Sequence, residues 1–161
     1  MIGLEITGSE QVIDKLGAVV GRVRIAARSS LDAWALELAG YIKDEKLSGQ
    51  VLNRRSGLLS GSIAVKSASE SGTTISAGAG GGAGVPYAKI HEYGGLIPAH
   101  IVVVKNAKAL AFSVGGVMRF AKSVQIPDVN MPERSYMRSS LREQAPDGIA
   151  QLRAAVREAI L

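Results

Sequence analysis

The chain has 161 residues, 47% of them hydrophobic but only 4% aromatic, and a formal net charge of +5. That length argues for one domain with a core of Val, Ile, Leu and Ala, and the absence of cysteine excludes a disulfide frame and a thiolate metal site. No run approaches the roughly 18 apolar residues of a membrane span, and MIGLEITGSE lacks the basic and apolar regions of a signal peptide, so neither is expected.

Ile2, Leu4 and Ile6 alternate with Gly3 and Glu5 and predict a short strand. Thr7 and Glu10 have the spacing of a capping box, with Ser9 as a rival cap. Val12, Leu16, Val19, Val23, Ala27, Leu31, Trp34, Leu38 and Tyr41 then recur every three or four residues. That spacing predicts one amphipathic helix of about 35 residues. At 1.5 Å per residue it would be about 50 Å long, against about 30 Å for a compact domain of this size. The helix is therefore expected to bend or break, at Gly17, Gly21, Ser29-Ser30 or Gly40, or to project and meet another chain.

Leu47 to Arg55 is loop-like, and Gly57 and Gly61 permit a tight path into a strand beginning at Ile63 and Val65. A turn over Ser69 to Gly72 and a second strand over Thr73 to Ala77 complete a hairpin. After the glycine-rich run Gly78 to Gly84, Pro86 opens a short helix, Tyr87 to Tyr93, which Gly94-Gly95 stop. Ile101 to Val104 is a run of β-formers, and Gly115-Gly116 joins Leu110–Phe112 to Val117–Phe120 as a hairpin. Its second arm continues to Ile126, where Pro127 ends it. Pro132 is expected to open a helix from Glu133 to about Gln144. Pro146-Asp147 should separate it from a last helix faced by Ile149, Leu152, Val156 and Ile160. The order predicts an α+β fold, with the long N-terminal helix packed on a mainly antiparallel sheet of about five strands.

Chemistry-bearing motifs are few. His91-Glu92 evokes a zinc protease, but the second histidine that motif needs four residues later is replaced by Gly95. The run Gly78–Gly84 is followed by Val85-Pro86-Tyr87 rather than the Gly-Lys-Ser/Thr of a phosphate loop. Two histidines and no strained serine elbow argue against a triad. Arg134, Arg138 and Arg142 fall four apart, and Arg22, Arg24 and Arg28 cluster earlier; both sets suit either phosphate or a solvated face. No enzyme activity, cofactor or metal is expected.

Three blocks carry a resemblance. The first is Arg55-Ser56-Gly57-Leu58-Leu59-Ser60-Gly61-Ser62-Ile63. The second is Tyr87-Ala88-Lys89-Ile90-His91-Glu92-Tyr93-Gly94-Gly95, and the third is Pro132-Glu133-Arg134-Ser135-Tyr136-Met137 with Leu141 after it. In content and order they resemble the tailed-phage neck and minor tail component family, also described as head–tail joining, tail-completion or virion-morphogenesis proteins. Leu58 and Gly61 stand where the family is often polar, and Ser135-Tyr136-Met137 replaces a commoner Pro-Phe-Leu. The resemblance implies a structural virion protein, in the host cytoplasm during assembly. It implies a homo-oligomeric ring, twelve-fold or six-fold, that joins the head connector or stopper to the tail terminator or tail tube while DNA passes its lumen. It names Arg55, Gly57, Leu59, Ser62, Tyr87, Glu92, Gly94, Gly95, Pro132, Arg134 and Tyr136 as motif and subunit-contact candidates. Tyr136 is expected in the core, with Arg134 paired to an acceptor there. The loop Gly78–Gly84 and the helix after it are expected to form a contact that orders on assembly. Rival readings are a tail-terminator ring, a small basic nucleic-acid-binding module and a hydrolase using His91 and Glu92.

Overall fold

The computed structural model describes residues 8–53, 56–66, 73–76 and 85–161. The expected strand Ile2–Ile6, the cap Thr7, Arg55, the turn Ser69–Gly72 and the loop Gly78–Gly84 lie outside the described residues. The fold is α+β, with a long N-terminal helix, antiparallel strands and a C-terminal helix. It divides into two compact units: the residues up to Ala88 together with Ser135–Leu161, and Lys89–Arg134.

In the first unit, helix α1 runs without interruption from Ser9 to Tyr41, 33 residues, or about 50 Å at 1.5 Å per residue. None of the expected break points interrupts it. It ends instead in a wider π-helical turn, Ile42–Lys46, where the Leu47 N–H reaches back to the Ile42 carbonyl at 3.1 Å. Helix α2, Leu58–Gly61, is a single turn that Gly57 opens at φ 76°, a left-handed angle that favours glycine. Strands β1 (Ala64–Lys66) and β2 (Thr74–Ser76) pair antiparallel, as the hairpin reading expects.

Helix α4 spans Met137–Ile160 in one piece, with Pro146 inside it. Two helices separated at that proline are expected from sequence, because proline lacks the N–H and crowds the carbonyl four residues back. Packing on α1 overrides that cost. On one side of Pro146, Glu143 accepts hydrogen bonds from the Tyr41 hydroxyl (2.6 Å) and the Lys46 ammonium (2.8 Å). On the other side the Gln151 amide donates to Glu37 at 3.0 Å. Between them Gly148 lies so close to Trp34 that an added Cβ would fall 2.2 Å from its ring. Farther along, the Arg22 guanidinium donates to the Ala159 carbonyl at 3.2 Å, satisfying one of the last carbonyls of α4. The helices thus run antiparallel, and the chain's main core sits at one end of the pair. There Leu38, Ala39, Ile42, Leu47, Leu52, Ile63 and Tyr136 are buried together, with Trp34, Leu59 and Met137 packed against them.

The second unit contains most of helix α3 (Ala88–Tyr93) and six strands. β3 (Gly95–Ile97) pairs with β8 (Val129–Met131), β4 (His100–Val103) with β7 (Ser123–Ile126), and β5 (Leu110–Val114) with β6 (Val117–Ala121). The strands are antiparallel as expected, but the four sheets among the described residues are each two-stranded. In chain order β3 to β8 make one long ribbon folded back at Gly115-Gly116. Those glycines take φ 59° and 81°, the two positive angles that a tight hairpin turn demands. Pro98 in one arm and Pro127 in the other interrupt the ladder where neither can donate. β7 ends at Ile126, directly before Pro127, as expected, and pairing resumes in β8 at Val129. Register is kept from Gly95–Met131 through Val103–Ser123, and the Val104 N–H bonds the Lys122 carbonyl at 3.0 Å. The next pair is Leu110 with Ala121, so residues 105–109 bulge from the first arm with nothing opposite them.

The helix expected from Pro132 does not form there. Pro132 to Ser135 is irregular, because the Arg134 N–H is committed to the His91 carbonyl at 2.9 Å, and α4 begins only at Met137.

Candidate functional site

The three sequence blocks can be followed from residue to contact. In the first, the Gly57 carbonyl accepts the Gly61 N–H at 2.8 Å and closes the turn of α2. Ser62 is buried and its hydroxyl donates to the Leu59 carbonyl at 2.7 Å, so its polar atom is satisfied as burial requires. The turn thereby aims Leu59 and Ile63 at the core that contains Tyr136.

In the second block, the Ala88 N–H bonds the Val85 carbonyl at 3.1 Å and starts α3, while Tyr87 stays partly exposed. Ala88 and Glu92, four apart on one face, are buried. Gly94 stops the helix, its N–H on the Ile90 carbonyl at 2.9 Å and its φ at 67°. A Cβ there would meet the Glu133 nitrogen at 2.7 Å and the Met131 carbonyl oxygen at 2.9 Å. The next residue, Gly95, has φ 135°, and a Cβ added there would fall 3.2 Å from the end of Ile90. Glycine at 94 is thus required twice, by backbone angle and by the approach of another strand of chain.

The third block supplies that strand. Arg134 bonds His91 through its main chain, and the residue is exposed rather than in the core. Pro132 is exposed too. Tyr136 is buried as expected, 1% exposed, and its hydroxyl donates to the Ala88 carbonyl at 3.3 Å. Ser140, fully buried one turn on, donates to the Tyr136 carbonyl at 2.6 Å.

Of the candidates, Leu59, Ser62 and Tyr136 belong to the buried part of the first unit, where Tyr136 bonds Ala88, and Gly94 packs on Glu133 within the second. Tyr87, Pro132 and Arg134 are exposed, and Arg55 lies outside the described residues. Sequence reasoning missed Ser140 and Ala88. Both are small residues, and their only visible signal is a spacing of four from Tyr136 and Glu92.

Burial, with the nearby Arg134 charge second, holds the His91 imidazole below its ordinary value and favours its neutral form. His100 faces the Pro98 carbonyl at 3.0 Å through Nδ1. Among the described residues no group of three His, Cys, Asp or Glu side chains could hold a metal ion. Nor is any helix among them long and apolar enough to cross a membrane. The arginines Arg138 and Arg142 are exposed on α4, but Arg134 precedes that helix and does not share their face.

Comparison with protein-family models, curated proteins and solved structures finds no match.

Proposed function

We propose that this chain is a structural subunit of the neck of a tailed bacteriophage. It would assemble into a ring between head connector and tail, through which DNA passes, with no catalytic role. The observation that carries the reading is that blocks resembling the neck and minor tail component family, far apart in sequence, touch inside each unit: in the first, Leu59 packs on the core that holds Tyr136 and Tyr136 bonds Ala88; in the second, Gly94 lies against Glu133. Residues that a family shares for architectural reasons belong at such contacts, where a left-handed glycine and a buried tyrosine tolerate little change.

The net charge of +5 suits a lumen that DNA traverses without being read by sequence. Electron microscopy of the protein added to connector-bearing heads tests the proposal. Averages with a twelve-fold ring at the portal support it, and a six-fold ring at the tail end moves the chain to the tail terminator. A monomer that ignores heads and tails but binds DNA with a steep salt dependence would overturn it in favour of a nucleic-acid-binding module.

A further inference from the structure

Among the described residues, two apolar surfaces are exposed within their own units. One is the first half of α1. Val12, Ile13, Leu16 and Val20 are each more than half exposed, because the carbonyl of Ala159, near the end of α4, already lies at Arg22. The second is the hairpin β5–β6. There Val114, Val117, Met118 and Phe120 are each more than half exposed, Phe120 most of all at 71%. Residues directly opposite share a face, so Met118 with Ser113 and Phe120 with Ala111 form one open side of the hairpin.

We propose that these two surfaces are halves of one contact between copies of this chain: the β5–β6 hairpin of one copy lies across the first half of α1 of the next. Their settings are complementary in charge. The ribbon carries Lys105, Lys108, Arg119 and Lys122 against the single acid Asp128, whereas the stretch Ser9–Gly21 of α1, ahead of the Arg22 bonded to Ala159, carries Glu10 and Asp14 against Lys15. Two ribbons placed together would oppose like charges, which disfavours that pairing. Geometry agrees. Gly17 and Gly21 have nothing within 4 Å of an added Cβ, so between Ile13 and Val20 the helix offers a low shelf that an extended backbone can approach closely.

Four large apolar side chains on the helix and two, Met118 and Phe120, on the open side of the hairpin make a small apolar centre, below the about 800 Å² per partner of a standard interface, and the polar rim and the hairpin tip supply the rest. A two-stranded hairpin is marginal by itself, so a neighbour that covers it also stabilises it. Because the two surfaces differ, the contact is heterologous, and repetition with the right rotation closes a ring. The inference rests on the ring reading only for that closure.

The test exploits the absence of native cysteine. Gly17→Cys is placed in one preparation and Ser113→Cys in another carrying a tag of different mass. Both positions are exposed and leave every apolar side chain of the contact intact. Mild oxidation of the mixture, read on non-reducing gels over a concentration series, is expected to give mixed dimers in at least fivefold excess over either like pair. Phe120→Asp in the Ser113→Cys chain should abolish them. Like pairs of Gly17→Cys would mean that α1 packs on α1, and like pairs of Ser113→Cys that ribbons pair; either overturns the proposal. So does a disulfide within the doubly substituted single chain that forms at every dilution. Microscopy of the same samples separates the two ideas. Mixed dimers in open chains keep the contact and refute the ring, whereas rings without mixed dimers keep the ring and refute the contact.

Discussion

The two halves of α1 have the same sequence rhythm and opposite fates. From Trp34 to Ile42 the apolar positions are covered by α4 and by the loop that carries Leu47 and Leu52, and Ala35, Leu38, Ala39 and Ile42 are buried. From Ser9 to Gly21 the same spacing of Val12, Leu16 and Val19 continues, yet Val12 and Leu16 are mostly exposed. Periodicity therefore encodes that a helix has a face, and a second element decides whether the face is filled. The buried half derives its stability from Tyr136, which arrives from the far end of the sequence.

That contrast can be broken at its strongest point first. Tyr136→Ala empties the fully buried site at the centre of the covered half and should cost about 3–5 kcal/mol. Thermal unfolding should fall by on the order of 10 °C, since about 2–4 °C accompanies each kcal/mol at this size. An unchanged melting curve would remove Tyr136 from the core. Leu38→Ala in α1 should cost about 2–4 kcal/mol by urea titration. Gly148→Ala comes next. The added methyl collides with Trp34, an overpacking cost of about 1–3 kcal/mol that the better helix propensity of alanine, about 1 kcal/mol, offsets in part. Trp34 fluorescence should report the displacement even where stability barely moves.

A smaller effect tests the polar end of the covered half. Hydrogen bonds from Lys46 and then Tyr41 hold the Glu143 carboxyl below its ordinary 4.5. Its folded form favours the charged state, so its contribution is present above that ordinary value and is lost as pH falls through the lowered folded one. Wild type and Glu143→Gln should differ in denaturation midpoint at pH 7 and converge in strong acid. A difference that persists there would assign the effect to packing. The smallest expectation is the sharpest. Leu16→Ala, the same change as at Leu38 but at a residue 60% exposed, should leave the stability of the isolated chain within about 0.5 kcal/mol.

Local features and the two hairpins were legible from sequence, and the longer-range pairings were not. The helix stripe, the hairpin turn at Gly115-Gly116 and the left-handed stop at Gly94 follow from spacing and backbone preference, and the burial of Tyr136 from the resemblance. Proline misled twice. Pro132 has the look of a helix opener, but the N–H of Arg134 is taken by His91, a bond across 43 residues that no local rule anticipates. Pro146 has the look of a breaker, but contacts to α1 on both sides carry the helix through it. Alternating residues announce strands without saying how many stand side by side, so a ribbon of paired strands was indistinguishable from a single sheet. Tyr136 could be assigned to a core, but its partner Ala88 is an ordinary small residue whose role exists only in three dimensions.

The unmatched residues 105–109 have a consequence for how this protein can vary. Pairing is continuous up to Val104–Lys122 and resumes at Leu110–Ala121, so the intervening length of the first arm is not counted by the second. Adding or removing residues there leaves every flanking partner in place, and a longer loop costs only about 0.6 kcal/mol per doubling of its length. Within a ladder, by contrast, a one-residue slip would turn every side chain to the opposite face. This segment is therefore where the ribbon can accept an epitope or a fluorophore-binding peptide, reporting on the arm without altering its register.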